Sequence, residues 1–122
     1  MSQAGRSVSA FGIVAGLLGL TFLLIPNVVF EILQVPGTDE PWAHGAGVFV
    51  IALSVHYIMS GRADAAVFIR TSVPERIWVG AAIVGLAALW GFWSVALLAV
   101  VPLAGAAWTW FALRRPQPVP ST

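Results

Sequence analysis

Four stretches of this chain are apolar from end to end and contain no Asp, Glu, Lys or Arg: residues 8–25, 43–60, 77–93 and 95–113. They are 18, 18, 17 and 19 residues long. An α-helix rises about 1.5 Å per residue, and bilayer hydrocarbon is about 30 Å thick. Each stretch is therefore just long enough to cross a membrane with little tilt. Lipid offers no hydrogen bonds to the backbone, so only helices or closed barrels span it. These stretches are continuously apolar rather than alternating, which selects helices over barrel strands.

Composition agrees. Charged residues are 9% of the chain and hydrophobic residues 59%, where a soluble domain carries about 25% charge. So little polar surface cannot face water on all sides. A nucleic-acid binder and a disulfide scaffold are excluded, and the absence of cysteine removes thiol catalysis and thiolate metal ligands. The first stretch follows Arg6, as a signal peptide would, but the run is long for a signal sequence and lacks a clean small-x-small cleavage site before Pro26. A retained helix is expected.

The expected fold is all-α: an integral membrane, up-down four-helix bundle. Short interfacial helices are expected in the first and second connections, near 28–34 and 63–70. Residues 1–113 form the transmembrane domain. Residues 114–122, with Pro116, Pro118 and Pro120, read as a disordered cytoplasmic tail. Pro74 is expected to close the second interfacial helix, and Pro102 to kink the fourth span.

With four spans, Arg6, Arg62, Arg70, Arg76, Arg114 and Arg115 all fall on one side, and Glu31, Asp39 and Glu40 on the other. The positive-inside rule then makes both termini cytoplasmic, and a bacterial inner membrane is the expected location. Five of the six tryptophans fall near predicted span ends, as an aromatic belt does.

Small residues mark packing faces. Gly12, Gly16 and Gly19 recur at helical spacing in the first span, and Ala81, Gly85 and Ala88 in the third. Such faces serve either packing inside one bundle or docking between chains; the first reading is preferred.

Chemistry is sparse. His44 and His56 are twelve residues apart on one helix, about 18 Å along its axis. They cannot clamp one haem or metal within a single chain. His56 is expected to be bonded inside the bundle, beside Tyr57 and Ser54, as the intramembrane polar residues. No carboxylate lies inside the four stretches, so proton-coupled export on an intramembrane glutamate is disfavoured. No catalytic residue, metal site or cofactor is assigned.

The inner loop is the richest segment. Arg62, Asp64, Phe68, Arg70, Glu75 and Arg76 cluster at the expected cytoplasmic interface. Arg62, Arg70 and Arg76, with Phe68 pinning the segment, are expected to grip lipid phosphates or an acidic partner. Asp64 and Glu75 are expected to pair with the arginines. The pattern Tyr57, Arg62, Asp64, Phe68, Arg70, Ser72, Val73, Arg76 resembles the signature of BphX-like and DoxX-like small four-span membrane proteins. Pro26-Asn27, Val35-Pro36 and Trp42 resemble that family too. The resemblance covers roughly residues 10–113 and departs at His56, Ile69 and Thr71. It implies the four-span fold and little about activity.

The leading functional expectation is a non-enzymatic accessory or interaction subunit of a larger membrane complex. It would dock through helix packing and the arginine loop, with membrane lipids and a membrane-protein partner or a second copy as partners, and no nucleic acid. The alternatives are a small transporter or channel with a polar path near His56 and Tyr57, and a quinone- or haem-associated redox protein.

Overall fold

The computed structural model describes residues 1–115. They form α1 (Gln3–Leu24), α2 (Pro26–Ile32), α3 (Trp42–Arg62), α4 (Ala66–Trp90), a 3₁₀ segment (Trp93–Ala99) and α5 (Val100–Arg114). There is no strand among the described residues. Four helical stretches are long and apolar enough to cross a membrane: α1, α3, α4, and the 3₁₀ segment run together with α5. The protein is an all-α integral membrane four-helix bundle. The proposed tail beyond residue 115 lies outside the described residues.

Local chemistry sets the ends. Ser2 caps α1, its Oγ accepting the Gly5 N–H at 2.9 Å. Pro26 starts α2 at a position that needs no donor. Gly91 ends α4 with a left-handed φ of 74°, which a side chain would strain. The Ser94 hydroxyl donates to the Leu33 carbonyl and ties the 3₁₀ segment to the end of α2.

The helices do not pack in sequence order. α3 lies along α1, α1 along α5, and α5 along α4, while α3 and α4 barely meet. The α1–α3 contact is close because glycines remove side chains where the backbones approach. A Cβ on Gly61 would lie 2.5 Å from the Gly5 carbonyl oxygen, and one on Gly47 would lie 2.5 Å from the Gly19 carbonyl oxygen. These two pairs fix an antiparallel contact at both ends. Gly12 and Gly16 lie between them, against Tyr57, Ile58 and Ser54. Alternating helix directions put five of the six arginines, all but Arg76, at the end that carries Met1 and Asp64.

Three expectations are corrected. The second connection holds no separate interfacial helix. It shrinks to three residues, and α4 runs from Ala66 straight through Pro74. The proline ring removes one backbone bond, but Ile69, Ser72, Val73 and Arg76 are buried around it and hold the helix together. Consequently Glu75 and Arg76 lie within a spanning helix rather than in a loop. Pro102, expected in the middle of a continuous helix, sits instead in the first turn of α5, directly after the 3₁₀ segment, so the change from 3₁₀ to α geometry falls beside it. Finally, among the described residues the ion pair of Asp64 is with the Met1 amine and not with an arginine. Its carboxylate accepts the Ser2 N–H at 2.9 Å and the Ser2 hydroxyl at 2.6 Å, with the Met1 amine at 3.8 Å.

That tie gives a pH prediction. The Ser2 hydroxyl first, then the Ser2 N–H, holds the Asp64 carboxyl below its ordinary value. A lowered carboxylate pKa adds stability above the ordinary aspartate value of about 3.9, and that stability is lost as pH falls through the lowered value. Thermal melts of the protein and its Asp64→Asn variant should differ at pH 6 and converge on acidification below about 3.9. A gap that stays constant to the lowest pH tolerated contradicts this account.

Candidate functional site

Arg76 is the largest fully buried side chain among the described residues, with 1% of its surface exposed. It lies ten residues into α4, about 15 Å from the start of that helix. Its own helix supplies the first partners: Nε donates to the Ser72 carbonyl at 3.1 Å, and Nη2 donates to Ser72 Oγ at 3.0 Å. The spacing of four residues stacks Ser72 one turn before Arg76. Helix α5 supplies the next partner, Thr109 Oγ1, which accepts from Nη2 at 2.8 Å. Thr109 Oγ1 also lies 2.7 Å from Ser7 Oγ of α1 and 3.0 Å from the Gly105 carbonyl. A buried polar chain thus links three spans.

Aromatic rings wall the guanidinium. Its Cζ lies 4.9 Å from the Phe11 ring centroid and 5.6 Å from that of Tyr57. Phe11 and Tyr57 pack at 4.8 Å, and Phe68 meets Tyr57 edge-on at 5.0 Å. Ring faces attract a desolvated cation by about 2 kcal/mol.

What the cation lacks is an anion. No ion pair joins Arg76 to a carboxylate among the described residues. Glu75 is its sequence neighbour and the acidic group whose charge reaches both Arg76 and Tyr57. It is exposed on α4, lies close enough to the Tyr57 hydroxyl to act on it, and forms no ion pair with Arg76. Among the described residues, two buried side-chain polar atoms remain without a hydrogen-bond partner: Arg76 Nη1 and the Tyr57 hydroxyl oxygen. Arginine does not shed its proton in proteins, so the charge persists. A buried charge without a counter-ion costs several kcal/mol, and an ionisable residue inside a span marks a functional site.

The residues singled out in the sequence do not converge. Arg62 and Arg70 are exposed at the arginine-rich end, whereas Arg76 is buried and cannot grip a surface ligand beside them. Phe68 is half-buried and packs on Tyr57. His56 is exposed on the outer face of α3 and is not bonded inside the bundle as expected. Ser54 and Tyr57, three residues apart, face inward, but the Ser54 hydroxyl donates back to the Ile51 carbonyl at 2.7 Å. His44 is exposed near the opposite end, its Nδ1 2.6 Å from the Leu23 carbonyl oxygen. Gly12 and Gly19 lie in the α1–α3 contact with Gly16, while Ala81, Gly85 and Ala88 face outward on α4.

The Arg76 cluster was hidden in the sequence because Pro74, Glu75 and Arg76 read together as a loop. The one local signal for it was the four-residue spacing of Ser72 and Arg76. Its partners Ser7 and Thr109 come from helices 69 residues upstream and 33 downstream, and no sequence spacing announces that. Compared with known proteins, the chain matches no family model, no curated protein and no solved structure.

Proposed function

We propose that the protein is a non-enzymatic integral membrane subunit that docks onto a larger membrane complex through the outer face of α4 and the exposed arginines at its start. The observation that carries this reading is the contrast between its glycines. Those of α1, with Gly47 and Gly61 of α3, are spent on the internal contact, whereas a Cβ on Gly85, as on Gly45 at the start of α3, would meet nothing within 4 Å. With Ala81 and Ala88 also exposed, α4 presents a smooth strip of the kind that lets a second transmembrane helix approach closely. Only 22–28% of each spanning window is buried within the chain, which leaves wide surfaces for lipid and partner helices. Arg62, the last residue of α3, and Arg70, near the start of α4, lie at the same end of the bundle and suit lipid phosphates or an acidic partner segment.

The arginine asymmetry supports a cytoplasmic placement of both termini, in a bacterial inner membrane. The likeness of the inner loop to BphX-like and DoxX-like proteins is in keeping with the four-span architecture. The geometry gives less support to a transporter or a redox protein, since His56 faces outward and Ser54 bonds to its own helix.

The test is co-purification from native membranes. Gly85→Leu fills open space, so the variant should fold normally. Its recovery of a fixed membrane partner should fall about tenfold, the equivalent of 1.4 kcal/mol of packing. Arg62→Lys with Arg70→Lys keeps the charge but loses the planar fork, and should weaken the same association. Unchanged co-purification in both variants overturns the reading.

A further inference from the structure

The unpaired Nη1 of Arg76 lies next to an apolar groove that no function has yet been given. The groove runs between α1 and α5, has a volume of about 270 Å³, and is lined by Ser7, Phe11, Val14, Val101, Gly105 and Trp108 among others. It is open on its outer side, where Val14 and Trp108 are exposed and membrane lipid would lie. Two of its lining residues also bound the buried cation. A Cβ on Gly105 would lie 3.0 Å from Phe11 Cδ2 and 3.1 Å from Arg76 Nη1. Glycine at this position keeps a side chain out of the space between groove and guanidinium. Phe11 is half-buried, with its ring against the guanidinium and its edge toward Gly105.

We infer that this groove binds a single-chain fatty acid in its anionic form, the aliphatic chain lying between α1 and α5 and the carboxylate reaching Arg76 Nη1, which is buried behind Gly105 and Phe11, when the Phe11 ring swings aside. Charge decides the headgroup. Arg76 carries one positive charge with no ion-pair partner among the described residues, and one carboxylate neutralises it. Donor count points the same way. Nε and Nη2 are already committed to Ser72 and Thr109, leaving only the two N–H bonds of Nη1. A phosphate would bring more oxygens than that nitrogen can satisfy and leave them in apolar surroundings. Size decides the tail. The groove is at the small end of ligand sites and suits one extended chain rather than a ring system or two acyl chains. An opening toward lipid lets the chain enter sideways without crossing water. This inference stands apart from the docking reading, which concerns α4 and not the α1–α5 groove.

Trp108 in the groove wall makes the test direct. The full chain is placed in nanodiscs of phosphatidylcholine, and its fluorescence is titrated with a dibrominated fatty acid or the dibrominated alcohol of the same length. Subtracting the signal of the Trp108→Phe variant isolates the groove. At neutral pH the acid should quench Trp108 at about a tenfold lower concentration than the alcohol, the worth of one charge-assisted hydrogen bond. Arg76→Gln should remove that preference. If this variant does not fold, the unaltered protein still decides, because the preference should vanish when pH is lowered until the fatty acid is protonated. Equal quenching by acid and alcohol at neutral pH overturns the inference. So does a preference that survives in a folded Arg76→Gln protein or at low pH. Equal or stronger quenching by a dibrominated phosphatidic acid makes the occupant a two-chain phospholipid and overturns it as well. Unchanged partner co-purification in the Gly85→Leu and Arg62→Lys/Arg70→Lys variants, with this quenching intact, counts against the docking reading alone.

Discussion

A methyl group on Gly47 is expected to cost the bundle about 3 kcal/mol or more, while the same change at Gly45, two residues earlier, stays within about 1 kcal/mol of neutral. Both glycines are in the first two turns of α3, so helix propensity treats them alike. Their surroundings differ. The Cβ of Gly47→Ala would lie 2.5 Å from the Gly19 carbonyl oxygen and closer still to the Leu23 nitrogen, and these are backbone atoms of α1. A side chain could change rotamer to make room; a helix backbone cannot, so α1 and α3 must move apart. That separation loosens the most extensive helix contact in the molecule. In lipid, close packing replaces the hydrophobic effect as the force between helices, so the loss is not recovered elsewhere. At Gly45 a Cβ meets nothing within 4 Å, and alanine is the better helix former. A total stability of about 5–15 kcal/mol makes the Gly47 effect large. Thermal unfolding in detergent checks the pair. Equal midpoints for Gly47→Ala and Gly45→Ala contradict the close α1–α3 contact.

The same contrast shows what was legible in the sequence. Four charge-free apolar stretches announce four helices because a span needs both length and neutrality, and length and neutrality are local properties. The arginines announce one end of the bundle for the same reason. Inward and outward faces of α3 are also written locally. Gly47, Ser54, Tyr57 and Gly61 are buried and follow one another at seven, three and four residues, a single helical stripe that leaves His56 outside it. The pairing of helices is not written locally. The order α3, α1, α5, α4 depends on which small faces find each other, and Gly85 looks like Gly47 until neighbours are placed around it. The start of α4 was obscured by a genuine conflict. Pro74, Glu75 and Arg76 each argue against a span by composition. Their cost is offset by tertiary partners, Thr109 and two aromatic rings, which come from three other helices. Composition sees the cost and not the compensation. That is why the candidate site falls where sequence reasoning placed a loop.

Thr109→Val should destabilise the bundle by about 2 kcal/mol, and most of that loss should disappear when Arg76→Met is already present. Valine has the shape of threonine and lacks only the hydroxyl. The substitution therefore creates almost no cavity and isolates the polar term. In the unaltered protein the hydroxyl accepts from Arg76 Nη2 at 2.8 Å and lies 2.7 Å from Ser7 Oγ. Ser7 keeps another partner, the Ala4 carbonyl at 2.7 Å, so its loss is small. Arg76 keeps Ser72, but Nη1 is already without a partner, and weakening Nη2 leaves a buried charge with still less solvation. Removing a partner from a buried charged donor costs about 1–3 kcal/mol, and here no water-facing route relieves it. Methionine at position 76 takes the charge away. The desolvation penalty then vanishes together with three hydrogen bonds and two ring contacts. These opposing terms are similar in size, so the single Arg76→Met change is a poor gauge of the cluster. The coupling is a better one. In the Arg76→Met background Thr109→Val has no charged donor left to orphan, and its cost should drop below about 1 kcal/mol. Additive costs across the two changes, measured by thermal or denaturant unfolding in one detergent, show that Thr109 does not serve the arginine. In that case the three-helix polar chain contributes only separate helix contacts, and the guanidinium is held by Ser72 and the rings alone.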